Sequence, residues 1–224
     1  MIEVNDLWKI YGSGVKQVAA LRGVTLKIEG GEFVAILGPS GSGKTTLLNC
    51  LSGIDSPSHG EIFIDGLAFH TLNEEKKTQF RARYMGFVFQ FFNLIPVLTA
   101  LENVLLPLKI LGINHGEAVE RTKQMLQKVG LADKINRFPS ELSGGEQQRV
   151  AIARALVHNP KIVWADEPTG NLDSETGEGV IKLLEEMRSE HKTTLVIVTH
   201  DERIAKRANR TLTIRDGKIV KEER

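Results

Sequence analysis

A glycine-rich segment near the start of the chain has the residue types and spacing of a phosphate-binding loop. The segment GPSGSGKTT fits the pattern G-x-x-x-x-G-K-[ST], with an apolar run before it and a helix-like stretch after it. Glycines let the backbone N–H groups of such a loop turn inward, and the following helix presents its positive end to the same phosphates. The loop therefore predicts that a nucleoside triphosphate is bound by Gly38, Pro39, Ser40, Gly41, Ser42, Gly43, Lys44, Thr45 and Thr46. By this mechanism Lys44 reaches the β- and γ-phosphates, and Thr45 holds Mg²⁺.

Two adjacent carboxylates end a later apolar run, in the sequence KIVWADEP. Neighbouring residues of a strand point to opposite sides, so one acid can face Mg²⁺ while the other faces elsewhere. We expect Asp166 to join the Mg²⁺ shell and Glu167 to activate or position the attacking water. Pro168 favours an extended backbone at Glu167. Taken alone, the pattern would fit a strand that exits into an acidic turn equally well.

A second glycine-containing helix start occurs in the sequence LSGGE. Ser143, with Glu146 three residues later, has the pattern of a capping box. A cap does not need Gly144 and Gly145, and interior helical glycines cost about 1 kcal/mol each relative to alanine. We therefore expect something to approach this backbone closely. A bare helix N-terminus binds anions, so the chain is predicted to have two phosphate-binding helix ends.

The composition limits the classes of protein to consider. The chain has 224 residues, with 29 Lys plus Arg against 28 Asp plus Glu, so no overall field favours nucleic acid. Cys50 is the only cysteine, which excludes an internal disulfide and a cysteine-built zinc site; we expect a buried, inert thiol. No stretch approaches 18 uninterrupted apolar residues, and the chain is expected to be soluble and cytosolic.

The pattern along the chain predicts an α/β fold. Short β-rich runs alternate with glycine-rich turns over residues 2–64, a mostly helical signal covers residues 91–157, and apolar strand-like runs follow. We predict one domain over 1–224, with 91–157 as an inserted helical subdomain and with 1–90 and 158–224 as the β subdomain plus core. Basic residues at helical spacing near the C-terminus predict a solvated helix face: Arg203, Lys206, Arg207 and Arg210.

The three motifs, in this order and at this spacing, resemble those of the nucleotide-binding subunits of ATP-binding cassette (ABC) transporters. The likeness covers essentially the whole chain, and LSGGE is the family's own mark. The resemblance implies a P-loop NTPase (RecA-like) core with a mainly parallel sheet, an N-terminal antiparallel β subdomain and an inserted α-helical subdomain. It also implies ATP and Mg²⁺ as cofactors, and a head-to-tail homodimer in which the Ser143 helix of one subunit closes over the ATP held by the other.

The resemblance assigns roles to further residues. Tyr11, ahead of Val18, matches the aromatic residue that stacks on adenine, and an aromatic face can hold a base without a hydrogen-bond code. Gln90, at the end of MGFVFQ, matches the glutamine that senses Mg²⁺ and water while linking the core to the helical subdomain. Outside this context, a tyrosine near an N-terminus would usually be a packing residue, and a glutamine after a strand would mean little.

Two matches complete the implied site. His200, directly after an apolar run, resembles the histidine that contacts the γ-phosphate and orients Glu167 and water; without the other motifs it would be an ordinary loop histidine. Asp173, in the sequence NLD, belongs to the loop that crosses the dimer interface in this family. The implied catalytic residues are thus Lys44, Gln90, Glu167 and His200, and the implied metal ligands are Thr45, Gln90 and Asp166.

A cluster of phenylalanines lies beside Gln90 and includes four of the nine in the chain. In transporters of this kind, a groove at this place receives a short coupling helix from an integral membrane permease subunit. Phe91, Phe92 and Leu94 are the candidates for that contact, and plain core packing is an equal alternative. The resemblance thus places the chain on the cytoplasmic face of the membrane through its permease, with no nucleic acid expected as a partner.

Within the family, the sequences NLIP, LTALENV and ADEPTGNLD resemble the branch of lipoprotein-releasing, macrolide-efflux and antimicrobial-peptide-resistance ATPases. The resulting hypothesis is an Mg²⁺-dependent ATPase whose dimerisation and hydrolysis drive a separate membrane subunit in export, lipoprotein release or mechanotransmission. An alternative is a soluble ABC-type ATPase clamp on a nucleic-acid or protein partner, although the coiled-coil or tandem-domain additions usual there are missing. A protein that binds ATP without turnover is disfavoured by Glu167, His200 and Lys44. Two departures are Trp164, where a smaller aliphatic residue is usual, and Glu146, where glutamine is commoner.

Overall fold

The computed structural model describes the backbone of residues 1–224 and the side chains of all of them except Val15 and His191. The strands are β1 (Ile2–Tyr11), β2 (Val18–Ile28), β3 (Phe33–Leu37), β4 (His59–Ile64), β5 (Leu67–Ala68), β6 (Met85–Phe89), β7 (Ile162–Asp166), β8 (Thr194–Thr199), β9 (Arg210–Arg215) and β10 (Lys218–Glu223). The helices are α1 (Lys44–Ser52), α2 (Glu74–Tyr84), α3 (Ala100–Ile110), α4 (His115–Lys128), α5 (Gly144–Leu156), α6 (Ser174–His191) and α7 (Glu202–Ala205).

The chain folds into two units, one formed by residues 1–81 with 194–224 and the other by residues 82–193. The strands and helices predicted from the hydrophobic pattern are confirmed, including the helical signal within 91–157, which contains α3, α4 and α5. Among the described residues, no helix is both long and apolar enough to span a membrane.

The first unit contains an antiparallel sheet with the order β2-β1-β4-β5. It also contains β10, β9, β3 and β8, in which β3 lies parallel to both β8 and β9 while β10 is antiparallel to β9. Every residue of β8 and all but the last of β3 are buried, as expected for parallel strands that are covered on both faces. The carboxyl ends of β3 and β8 therefore lie side by side.

In the second unit, β6 pairs in parallel with β7, and α5 packs against β6. The packing is close at Gly86, where a Cβ atom would lie 2.2 Å from the carbonyl oxygen of Ala155. Helix α3 begins with a capping box, in which the Glu102 N–H donates to Thr99 Oγ1 and the Thr99 N–H donates to Glu102 Oε2. This box satisfies two backbone donors that a helix start would otherwise leave unpaired.

The predicted basic helix face near the C-terminus is wrong. Helix α7 ends at Ala205, and Arg210 instead begins β9. The Arg210 side chain is buried, lies 3.4 Å from Glu32 and 3.1 Å from Glu222, and donates to the Lys27 carbonyl at 2.7 Å. Tertiary pairing with these acids outweighs the local helical spacing, because a buried guanidinium needs charged partners.

Cys50 and Trp164 are both buried in the core. Burial raises the pKa of the Cys50 thiol to about 12, and the charge of Asp55 adds to this. The predicted buried thiol is thus confirmed. Trp164 is paired in register with Phe87, is fully buried, and has an indole N–H with no hydrogen-bond partner among the described residues.

Candidate functional site

The phosphate-loop residues connect β3 to α1 in the first unit. Gly43, the residue before helix α1, has a φ of 105° and no side chain that could cap the first N–H groups of the helix. The Lys44 ammonium lies within the loop and donates to the carbonyl oxygens of Gly38 at 2.9 Å and of Pro39 at 3.0 Å. A bare helix start with a lysine in the loop is the arrangement that binds phosphate.

Neighbouring strands hold this loop tightly. A Cβ atom at Gly38 would lie 2.3 Å from the Ile214 carbonyl oxygen, and one at Gly43 would lie 2.6 Å from the Ala20 carbonyl oxygen. The backbone of Ser42 accepts a hydrogen bond from the Gly217 N–H at 3.0 Å. The Ser42 hydroxyl is buried without a partner among the described residues, so the loop has a spare polar group that suits an oxygen-rich ligand.

The predicted base-stacking residues lie at the end of the β1–β2 ladder. Tyr11 and Val18 are directly opposite in the register, and both are exposed. The Tyr11 hydroxyl donates to Asp55 Oδ2 at 2.8 Å. Burial and then the bond to Asp55 raise the pKa of Tyr11, while a hydrogen bond to the Thr46 side chain acts in the opposite direction. Tyr11 is thus linked to the helix that follows the phosphate loop.

His200 comes directly after β8, at the same sheet edge as the phosphate loop. Because Leu37 pairs with Thr199, the next residues, Gly38 and His200, leave the sheet side by side. Ligand-binding residues of α/β sheets gather at the carboxyl ends of the strands. His200 therefore leaves the sheet beside the first residue of the phosphate loop, and its contact with the γ-phosphate stays a prediction.

Gln90, Asp166 and Glu167 meet at the corresponding edge of the second unit. Phe89 is paired with Asp166, so Gln90 follows β6 where Glu167 follows β7. The Gln90 side-chain amide donates to Asn171 Oδ1 at 3.4 Å, and the Asn171 amide donates to the Gln90 carbonyl at 2.9 Å. Two hydrogen bonds therefore join Gln90 to the loop that runs from Asp166 towards α6.

The expected extended backbone at Glu167 is wrong. Glu167 has a φ of 46°, in the left-handed region that residues other than glycine rarely adopt. The Gly170 N–H donates to the Glu167 carbonyl at 3.0 Å, which closes a tight turn. This turn outweighs the local preference that Pro168 imposes on the residue before it. Strained backbone of this kind costs about 1–3 kcal/mol and is concentrated at functional sites.

Gln148 is a residue that the sequence motifs did not reveal. It lies on α5, is fully buried, and donates its side-chain amide to the carbonyl oxygens of Pro168 and, more weakly at 3.5 Å, of Phe89. It therefore joins the end of β6 to the turn that contains Glu167. The feature that marks Gln148 is a polar side chain that is fully buried in a helix. Because burial cannot be read from one sequence, no sequence signal identified this residue.

The residues of the sequence LSGGE, called the signature below, form the predicted capping box at the start of α5. Ser143 Oγ accepts from the Glu146 N–H at 3.3 Å, and Glu146 Oε2 accepts from the Ser143 N–H at 2.8 Å. The Ser143 N–H holds the pKa of Glu146 below its usual value, with Lys134, 3.6 Å away, acting in the same direction. Glu146 is thus an anion at this helix end.

The glycines of the signature have a structural role that the sequence argument missed. A Cβ atom at Gly145 would lie 2.4 Å from Thr176 Cγ2, and one at Gly144 would touch Leu172 at 3.4 Å. Thr176 belongs to the first turn of α6, where its N–H donates to Asp173 Oδ1 at 3.0 Å and its hydroxyl donates to Asp173 Oδ2 at 2.6 Å. The hydrogen bond from the Thr176 hydroxyl, and to a lesser extent the one from the Thr176 N–H, lower the pKa of Asp173. Close approach to Gly145 therefore occurs within the chain itself.

The segment after Gln90 combines exposed apolar side chains with unusual backbone. Phe91 is 72% exposed, whereas Phe92 and Leu94 are half-buried. Ile95 and Val97, which the sequence analysis did not single out, are also exposed. The three predicted contact residues therefore belong to a longer segment, Phe91 to Val97, whose apolar side chains are exposed or half-buried; we call this segment the apolar surface.

Arg154 on α5 supports the backbone of that segment. Its guanidinium donates to the carbonyl oxygens of Phe92 at 2.8 Å and of Asn93 at 2.6 Å. Both residues are left-handed, with φ values of 60° and 49°. Burial lowers the pKa of Arg154, but an arginine keeps its charge. The shape of the apolar surface therefore depends on a residue about sixty positions later.

The predicted magnesium ligands supply oxygen donors of the kind that Mg²⁺ prefers. Thr45 lies in the first unit, while Gln90 and Asp166 lie in the second, where they follow or end paired strands. No cluster of three or more His, Cys, Asp or Glu side chains that could hold a metal occurs in the part of the chain that the structure describes. In proteins, Mg²⁺ beside phosphates usually keeps several waters and substrate oxygens as ligands and takes only one or two from side chains.

Comparison with known proteins gives a consistent family. Residues 21–170 match the family model described as ABC transporter. An uncharacterized ABC transporter ATP-binding protein of Methanocaldococcus jannaschii is 49% identical over 220 residues, which cover 98% of each chain. The lipoprotein-releasing system ATP-binding protein LolD of Syntrophus aciditrophicus is 48% identical over 98% of this chain and 99% of its own.

A solved structure shares the fold. It is the dimeric, post-hydrolysis state of the ATP-binding cassette MJ0796 bound to ADP and Pi, which superposes with a TM-score of 0.93, is 44% identical, and matches 100% of this chain and 98% of its own. This likeness confirms the predicted α/β fold class with a P-loop NTPase core. The chain therefore belongs to the ABC transporter family, as one of its ATP-binding subunits.

Proposed function

We propose that this subunit is an Mg²⁺-dependent ATPase that binds ATP on the loop 38–46. The observation that carries the proposal is the start of α1, which has no side-chain cap from Gly43 and begins with the buried Lys44. The solved relative that binds ADP and Pi supports ATP as the nucleotide. Bound Mg²⁺ would neutralise charge on the β- and γ-phosphates, and Thr45, Gln90 and Asp166 are the residues proposed to hold it.

The same proposal gives Glu167 the task of accepting a proton from, or orienting, the attacking water. Its left-handed backbone and the closed turn fix the main chain from which the carboxylate projects, and such strained backbone is concentrated at functional sites, which supports the role. His200 is proposed to contact the γ-phosphate and to orient Glu167 and water. Tyr11 and Val18 are proposed to receive the adenine, since they are exposed neighbours at the end of a ladder.

We further propose a head-to-tail homodimer on ATP binding. Ser143, Gly144, Gly145 and Glu146 would meet the ATP held by the other copy, with Asp173 at the interface. The positive end of the Ser143 helix and its backbone N–H groups would stabilise charge on the transferred phosphate, in place of an arginine finger. The solved relatives are dimeric cassettes, which supports this assembly.

An integral membrane permease is the proposed partner, contacted through Phe91, Phe92 and Leu94. The exposed apolar surface from Phe91 to Val97 supports this contact, because such surfaces commonly mark interaction sites. Relatives named as lipoprotein-releasing ATP-binding proteins support a place in that branch, on the cytoplasmic face of the membrane. In the proposed domain organisation, residues 91–157 form the helical subdomain that carries this surface and the signature.

The molar mass of the Glu167→Gln variant, measured by light scattering, tests the shared site. We expect it to bind ATP with Mg²⁺, to stall hydrolysis and to shift from about one chain to two when ATP is added. Lys44→Ala should lose ATP binding, because it removes the cation of the loop. Ser143→Arg should bind ATP as a monomer and fail to hydrolyse it.

Chelation of Mg²⁺ and steady-state phosphate release complete the test. Wild-type protein should release phosphate only with the metal, and Ser143→Arg should behave as Glu167→Gln does in that assay. A Glu167→Gln variant that binds ATP yet stays a monomer, both alone and with its permease, would contradict the head-to-tail assembly. Undiminished phosphate release by Ser143→Arg would contradict the role of the signature.

A further inference from the structure

Two charged side chains hold the ring of Tyr11 in place. The Lys9 ammonium lies 4.8 Å from the centre of the Tyr11 ring, and it donates to Asp55 Oδ1 at 2.6 Å and to the Ser56 carbonyl at 2.7 Å. The other oxygen of Asp55 accepts from the Tyr11 hydroxyl at 2.8 Å. One carboxylate thus binds both the cation on the ring face and the hydroxyl at the ring edge.

Lys9 is largely buried in this arrangement, whereas the ring of Tyr11 is exposed. The Lys9 side chain is only 12% exposed, whereas Tyr11 is 41% exposed. Burial acts to raise the pKa of Asp55, but the hydrogen bonds from Lys9 and Tyr11 bring it below its usual value. Asp55 is therefore ionised at neutral pH and remains bonded to both partners.

The strand geometry explains why Lys9 reaches the ring. Residues two apart on a strand point to the same side, which places the side chains of Lys9 and Tyr11 together. The β1–β2 register shifts between Lys9 and Ile10, and such bulges re-aim neighbouring side chains.

We propose that Lys9 and Asp55 are positioning residues that preset the Tyr11 ring for stacking on the base of the bound nucleotide. The inference rests on the proposed function, which gives Tyr11 the stacking role. A freely rotating exposed tyrosine would have to be ordered when the base arrives, and ordering one such side chain weakens binding by about 2- to 12-fold. Lys9 and Asp55 meet this requirement before the nucleotide binds.

The test compares ATP with inorganic tripolyphosphate, which offers the phosphate loop its ligand without a base. Dissociation constants for both are measured by calorimetry, with Mg²⁺ and at one salt concentration, for Lys9→Met and Asp55→Asn. Each variant should bind ATP about 2- to 12-fold more weakly and bind tripolyphosphate as the wild type does. The double variant should lose no more than the single ones, since all three disturb one arrangement.

Three further variants make the result decisive. Lys9→Arg retains a cation over the ring and should restore ATP affinity. Lys27→Met removes an exposed lysine of β2 that is paired with Glu3 and Glu29, and it should change neither constant. Tyr11→Ala should weaken ATP binding by about tenfold or more, with no effect on tripolyphosphate, because it removes the stacking surface itself.

Each outcome has one meaning. Wild-type ATP affinity in Lys9→Met and Asp55→Asn, with weakened binding in Tyr11→Ala, would overturn the positioning role and leave the stacking role intact. An unchanged Tyr11→Ala would instead contradict the stacking role. Opposite effects of Lys9→Met and Asp55→Asn on both ligands would show a simple charge effect, because one variant removes a positive charge and the other a negative one. Equal weakening of both ligands would show damage to the phosphate loop, and would also overturn the proposal.

Discussion

Gly145 is the position where one added methyl group gives the sharpest test of the signature helix. In Gly145→Ala the new Cβ would lie 2.4 Å from Thr176 Cγ2, a distance that non-bonded carbon atoms do not tolerate. Thr176 could escape only by rotating, and rotation would break the 2.6 Å bond from its hydroxyl to Asp173. Either this hydrogen bond is lost, or the start of α5 or of α6 must shift.

The expected loss of stability follows from two opposing effects. Forcing an extra methyl group into a packed contact costs about 1–3 kcal/mol. Replacing a helical glycine by alanine stabilises the helix by up to about 1 kcal/mol, because alanine has the higher helix propensity. The middle of the resulting range is a loss of about 1–2 kcal/mol in the free energy of unfolding for Gly145→Ala, which is about 2–8 °C in melting temperature for a chain of this size.

The matched background is Thr176→Ser, which retains the hydroxyl that bonds Asp173 and removes only Cγ2. In that background Gly145→Ala should be neutral or stabilising, because the clash is gone and the gain in helix propensity remains. Urea unfolding followed by circular dichroism, for the wild type, both single variants and the double variant, measures the coupling between the two positions. Steady-state phosphate release is measured on the same four proteins.

Two results would contradict this reasoning. Gly145→Ala could be as stable as the wild type, or Thr176→Ser could leave its loss of stability unchanged; either would mean that Thr176 does not require the glycine. The phosphate-release data distinguish two reasons for a glycine at position 145, namely packing against α6 and close approach of the nucleotide. If the double variant regains stability but not phosphate release, Gly145 serves the approach of the nucleotide as well as the packing on α6.

The remaining predictions concern buried groups. Gln148→Leu should destabilise the chain by about 1–3 kcal/mol in urea unfolding and should lower kcat more than it changes KM, because the Pro168 carbonyl loses its donor beside the turn that contains Glu167, the residue proposed to act on the attacking water. Trp164→Phe should cost less than about 2 kcal/mol, since it removes an indole N–H that has no partner among the described residues, whereas Trp164→Ala should cost about 3–5 kcal/mol. Cys50 has its pKa raised from 9.0 to about 12, so between these values the unfolded chain loses the thiol proton while the folded chain keeps it. Stability should therefore fall as pH rises through that window, and melting temperatures against pH should show a smaller fall in Cys50→Ala.

Much of this structure could be predicted because its signals are local. The phosphate loop is one continuous run, and the capping box at Ser143 requires only residues three positions apart. Buried parallel strands such as β8 contain a continuous apolar run, here LVIV between two threonines, which marks their place in the sequence. In each case the residues that determine the structure are neighbours along the chain.

The failures occurred where distant residues determine the local conformation. Glu167 is left-handed despite the proline after it, because the turn to Gly170 and the distant Gln148 fix that segment. Arg210 leaves the helical pattern because Glu32, far away in sequence, provides its partner. The need for Gly145 comes from Thr176 on another helix. Such contacts have no periodic signature in one sequence.

The hold of Arg154 on the Phe92 and Asn93 carbonyls has a consequence for chimeric proteins. A graft of residues 90–98 from a relative would bring new apolar side chains, but the recipient's α5 would still dictate how the backbone beneath them is folded. A change of binding specificity by segment exchange would therefore require a donor whose α5 provides the same guanidinium. During divergence, we expect substitutions in the apolar surface to co-vary with substitutions at position 154, because Arg154 supports the backbone of that surface.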